Sequence, residues 1–236
     1  MKFFILSFTF IALWITAYGA SMMSPNTAFQ PAMVFQNECI AKIQNNTEIV
    51  EGSVNIKYSF LTIFIRVTQK IREQGSLKNL DSILEKTCLP QTDEDMLYDV
   101  VMNIIKSCVE QEFSFTPEET ILIKEKLEKI FCNVYIKLAM ILSFSPECVS
   151  DPGTVTELQK CSQGQTMNLN TPVRDWFFGN SEICTTQLKA IECLNEAIKE
   201  KCNPNVSKQI QSVMTGARSI IGCNPEPNSI SVIDAS

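Results

Sequence analysis

The sequence predicts an all-α, disulfide-stapled bundle of about six to eight helices of ordinary length. Three observations carry that prediction. Apolar residues recur at steps of three and four along much of the chain, the spacing of one helical face. An even number of cysteines, 10, follows an N-terminal stretch built like a secretory signal. No segment offers a clear partner strand, so the one stretch that alternates like a strand is read as a helix too.

Taken in order, residues 1–19 read as a signal peptide. Lys2 supplies the basic start, Phe3 to Thr16 the apolar run, and Ala17-Tyr18-Gly19 a small-x-small cleavage site. Residues 20–223 then form a single helical domain, and 224–236 a polar, disordered tail. From Val54 to Ile71 two patterns compete. Val54, Ile56, Tyr58 and Phe60 alternate, whereas Ile56, Phe60, Phe64, Val67 and Ile71 trace a helical face, and the helix is preferred. Ser76 to Lys86 is a shorter amphipathic piece, and Thr92-Asp93-Glu94-Asp95 opens a helix that runs to Cys108.

The clearest start is Thr116-Pro117-Glu118-Glu119, a capping box with proline in the first turn. Ile123, Leu127, Ile130, Val134, Leu138 and Ile141 follow on one face, and toward Phe144 the helix becomes apolar nearly all round, as a central buried element does. Ser145 to Thr154 and Gln163 to Asn180 read as linkers. Ser181 to Cys202 reads as a helix, and Asn203-Pro204 opens the last one, ending at Gly222-Cys223.

All of Cys39, Cys88, Cys108, Cys132, Cys148, Cys161, Cys184, Cys193, Cys202 and Cys223 lie behind the signal, so five bridges in an oxidising space are expected, with their pairing open. Thiolate zinc sites want closely paired cysteines, and none are paired that closely here. Cys184, Cys193 and Cys202 are evenly spaced at nine residues. In one continuous helix that spacing rises about 13.5 Å, too far for a bridge, so all three must bond to other segments. Asn45-Asn46-Thr47 and Asn205-Val206-Ser207 are N-glycosylation acceptors, which places Asn45 and Asn205 at the surface if they are used.

Composition removes several function classes. There is no histidine, which excludes Ser-His-Asp and Cys-His catalysis and His-ligated zinc. The net charge of −6 is the wrong sign for gripping nucleic acid. Behind the signal no run is long enough to span a membrane: Val134 to Phe144, the most apolar, contains Lys137. No nucleotide-binding or hydrolase motif is present, and no cofactor or metal is expected.

The remaining features each have a bland reading. Glu118-Glu119 and Asp93-Glu94-Asp95 resemble a glycosidase acid pair, but first-turn carboxylates usually serve the helix dipole. Trp176, Phe177 and Phe178, in the run Arg174 to Gly179, are the candidate ligand or partner contacts, against the alternative that they plug the core. Met22, Met23, Met33, Met96, Met102, Met140, Met167 and Met214 are scattered, which favours core filling over a binding surface. Lys57, Arg66, Lys70 and Arg72 read as a solvated helix face.

The run Ile130-Phe131-Cys132, the turn Ser145-Pro146-Glu147-Cys148, and then Cys161, Cys184, Leu188, Cys193, Cys202 and Cys223 resemble the insect 27 kDa haemolymph glycoprotein family over most of the mature length. Ser145 stands where that family usually has glycine, and apolar Val134 to Leu142 replaces a polar, glycine-containing stretch. The resemblance implies a secreted, often glycosylated arthropod protein and brings no catalytic residues. The expected function is therefore non-enzymatic and extracellular. The first form is a carrier holding an apolar small molecule beside Val134 to Leu142; the alternative is a protein-interaction factor in immunity, development or a delivered secretion.

Overall fold

The computed structural model describes residues 42–75, 77–145, 148, 161, 171–199 and 201–223. Residues 1–19 and 224–236, read from the sequence as a signal peptide and a tail, lie outside the described residues, as do Cys39, Pro146-Glu147 and Met22, Met23, Met33 and Met167. Within them are eight α-helices and no strand: α1 Thr47–Gln74, α2 Leu80–Thr87, α3 Glu94–Cys108, α4 Pro117–Ile130, α5 Lys137–Ser143, α6 Val173–Phe178, α7 Ser181–Lys199 and α8 Pro204–Ile220.

Local chemistry starts most of these helices. Asn46 accepts the Ile49 N–H at the head of α1, and Gly75, at φ 66°, ends it in the left-handed region that glycine enters without strain. Asp93 accepts the Met96 N–H to start α3. Thr116 and Glu119 exchange both bonds of the capping box at α4. Asn180 accepts the Ile183 N–H before α7, and Asn203 that of Asn205 at α8, where Pro204 takes the first helical position.

The ambiguous stretch is helical throughout, with Ile49, Ile56, Phe60, Ile63, Val67 and Ile71 of α1 buried. The helix from Thr116 is also continuous, but a π-helical segment, Phe131–Ile136, separates α4 from α5 without breaking the rod. A π turn advances more residues per turn than an α turn, so it brings neighbouring faces inward. Here it buries Phe131, Cys132, Val134 and Ile136, and α5 adds Leu138, Met140, Ile141 and Leu142.

Two hydrophobic clusters result. The larger joins α1, α2, Leu97, Val100 and Ile104 on one face of α3, the π segment, α5, Ile191, Leu194 and Ile198 of α7, and α8. The smaller is built from Met102, Ile105, Ile123, Val173, Trp176, Phe177, Ile183 and Ile221. Met102, Met140 and Met214 are all buried core residues, as their positions on apolar faces imply. Helices α3 and α7 feed both clusters. On α7, Gln187 lies between Ile183 of one and Ile191 of the other, and is 1% exposed.

Four bridges are described: Cys88–Cys132, Cys148–Cys202, Cys161–Cys193 and Cys184–Cys223. Cys108 is also disulfide-bonded. Cys184, Cys193 and Cys202 each bond to a different segment, as the helical rise between Cys184 and Cys193 requires of those two. Two boundaries differ from the sequence reading. Helix α7 ends at Lys199, so Cys202 sits in the turn leading to Asn203-Pro204 rather than on the helix. The stretch from Gln163 to Asn180, read as a linker, contains α6, bracketed by Pro172 and Gly179.

Candidate functional site

The aromatic run forms α6. Trp176 and Phe177 are 7% and 5% exposed and belong to the smaller cluster, so these two rings plug the core. Phe177 meets Phe115 edge-on with centroids 5.8 Å apart, and Phe115 meets Phe113 at 5.7 Å. Gly179 then turns the chain at φ 73° where a Cβ would stand 3.3 Å from both sulfurs of Cys184–Cys223. Gly222, at φ 91°, passes so close to the Phe178 carbonyl that a Cβ would meet its oxygen at 2.7 Å. The end of α6 is thus clamped against the end of α8 through two glycines and a bridge.

Phe178 alone of the three rings reaches the surface, half-buried between two cations. Lys126 Nζ lies 4.6 Å and the Arg174 guanidinium 5.0 Å from its centroid. Lys126 also donates to the Phe177 carbonyl oxygen at 2.8 Å, and burial, followed by the charge of Lys129, pulls its ammonium below the ordinary lysine value. Arg174 donates to Glu119, whose carboxylate also accepts the Thr116 N–H. These contacts bind α6 to α4 and occupy the groups that make them.

The acidic pairs act as caps. The Thr116 N–H first, and Arg174 second, hold Glu119 below the usual carboxylate range; backbone hydrogen bonding does the same for Glu118. A glycosidase acid is shifted the other way. Among the basic residues of α1, Arg66 donates to Gln91 and Lys70 to Thr87, while Lys57 and Arg72 face solvent. Among the described residues no three His, Cys, Asp or Glu side chains gather as metal ligands. Asn45 and Asn205 are both exposed, and the cap of α1 falls to Asn46 rather than to the acceptor Asn45.

The residues at Val134 to Leu142, where an apolar ligand was expected to lodge, pack into the larger cluster against α1, α2 and α8. A different apolar feature stands outside. Val50 and Val54 are 45% exposed, Tyr58 66% and Ile65 60%, all on α1. At about 100° per residue they fall within an arc of about 80°, turned roughly 140° from the buried face. Periodicity marked Val54 and Tyr58 as apolar positions without saying that they lack a neighbour. Single exposed aliphatics are ordinary, but four aligned on one helix form a patch. No family model matches this chain, and no curated protein or solved structure matches it either.

Proposed function

We propose that this chain is a secreted, non-enzymatic protein-interaction factor whose contact surface is the outer face of α1. The single observation that carries this reading is the aligned exposure of Val50, Val54, Tyr58 and Ile65 on a helix whose opposite face is already in the core. Secretion is supported by the bridges, by the signal-like start, and by the exposed glycan acceptors Asn45 and Asn205. Among the described residues no helix is long and apolar enough to cross a membrane. The haemolymph setting and arthropod origin implied by the family resemblance belong to the same proposal.

The carrier form is the competing reading, and the packing of Val134, Ile136, Leu138, Met140, Ile141 and Leu142 against protein weighs against a ligand beside them. Native mass spectrometry of the secreted, unreduced protein tests the choice. Masses explained by chain, glycans and bridges, in one copy or more, support the interaction reading. Excess mass of a small molecule, released by denaturation without reduction, overturns it in favour of the carrier.

A further inference from the structure

Val54, Tyr58, Leu61 and Ile65 follow one another at steps of four, three and four, the a/d spacing of a coiled-coil seam. Leu61 is half-buried; the other three are exposed. Continuing the same spacing outward reaches Glu51 one step toward the N-terminus and, past half-buried Thr68, Arg72 two steps toward the C-terminus; Glu51 and Arg72 are both exposed. Neither makes an ion pair or side-chain hydrogen bond among the described residues. The face is therefore apolar in its middle, acidic at one end and basic at the other.

We infer that this face pairs with α1 of a second copy, antiparallel, about a two-fold axis midway between Ser59 and Phe60. This rests on the reading of α1 as the contact surface. The symmetry is in the sequence itself. Reversing α1 about that point sets Val54 level with Ile65 of the second copy and Tyr58 level with its Leu61, so apolar residues meet apolar residues throughout. Glu51 then lies about four residues, or about 6 Å along the axis, from Arg72 of the second copy, within reach of the two side chains. The pair occurs twice. A parallel arrangement would instead set Glu51 beside Glu51 and Arg72 beside Arg72. A patch that is complementary to its own reverse is what an isologous two-fold interface requires. The seam from Val54 to Ile65 is about 16 Å long, so the interface is small and the association weak, tightened only as concentration rises.

Sedimentation equilibrium of the full, unreduced protein from about 1 µM to about 200 µM tests this, over the range in which small interfaces associate. We expect a concentration-dependent dimer that Val54→Asp with Ile65→Asp abolishes, while circular dichroism and the thermal midpoint show an intact fold, since both sites are exposed. Glu51→Arg alone and Arg72→Glu alone should each weaken association, by about tenfold, and the two together should restore it. A monomer throughout the range overturns the self-pairing, as does a dimer indifferent to the aspartates or single charge reversals with no rescue in combination. Such a monomer, carrying no small-molecule mass, would leave the interaction reading standing with a foreign partner; a bound small molecule would remove that reading instead.

Discussion

Replacing Gly52 by alanine measures how closely α1 and α3 approach. Gly52 sits in the second turn of α1, and a Cβ built there would overlap a Cγ methyl of Val100 on α3. Val100 is itself 6% exposed, so the methyl has little space to withdraw into. Two effects oppose each other. Alanine is the better helix former by about 1 kcal/mol. Forcing an extra methyl into a packed contact costs about 1–3 kcal/mol. The depth of the overlap puts the cost in the middle or upper part of that range, so Gly52→Ala should lose roughly 1 kcal/mol net, or about 2–4 °C in midpoint for a chain of this size. Val100→Ala supplies the control. With that methyl gone the same glycine substitution should be neutral or stabilising, up to the propensity difference of about 1 kcal/mol. Urea unfolding with the bridges intact gives all four corners of the cycle, provided the denaturant slope stays constant. If Gly52→Ala stabilises the protein with Val100 present, the two helices do not meet as closely as described and the reasoning fails.

Four further substitutions probe other parts of the molecule. Neither amide atom of buried Gln187 has a hydrogen-bond partner among the described residues, so Gln187→Leu should raise stability by about 1–3 kcal/mol in denaturant unfolding; a loss instead would mean the amide is satisfied in solution. Glu119 titrates below its ordinary value of 4.5, so its contribution is complete above that pH and disappears as pH falls through the lower folded-state value. Hydrogen-exchange protection in the first turn of α4, measured against the intrinsic amide rate at each pH, should therefore fall on acidification below pH 4.5, and Glu119→Gln, which still accepts the Thr116 N–H, should flatten that dependence. At the head of α1 the two asparagines should separate cleanly. Asn46→Ala leaves the Asn45 acceptor tripeptide intact and should lose about 1 kcal/mol, whereas Asn45→Gln should remove the glycan mass expected of a used acceptor and leave the unfolding midpoint in place.

The sequence makes legible whatever is decided within a turn or two of chain. Thr116 and Glu119 lie three residues apart and close their capping box whatever surrounds them, so the start of α4 was legible. The same holds for Asn203-Pro204 at α8, and the helical face of α1 is legible because no other segment offers a partner strand for its strand-like alternation. The apolar-all-round character near Leu138 correctly marked a central element, but nothing local marks the π segment beside it, because the extra residue is accommodated by packing against other helices. Helix α6 was missed for a different reason. Six residues show barely more than one helical repeat, so its only traces were Pro172 before and Gly179 after. The sequence of the aromatic run fits surface and core alike. The close backbone approach at Gly179 and Gly222, which decides the matter, joins residues far apart in sequence. Bridge pairing is through-space information as well. The outer face of α1 was visible only as composition: a period tells which positions are apolar, and only the fold tells which of them acquire a neighbour.

The distribution of staples bears on why that face could serve a partner. No cysteine occurs anywhere in α1. The described bridges tie the end of α2 to the π segment, Cys148 and Cys161 to the turn before α8 and to α7, and the start of α7 to the residue group closing α8. Covalent constraint is thus placed on α7 and on the turns and segments between helices, where it limits the freedom of the unfolded chain. The longest helix relies on its six buried side chains, its cap and its close contact with α3. One face of α1 secures it to the domain, and a bridge there would add constraint without adding surface. The opposite face is left with no structural task, yet it carries tyrosine, valine and isoleucine where a purely solvated helix would carry lysine and glutamate. Burial of those side chains against a second surface is the physical return that a solvated face would lack.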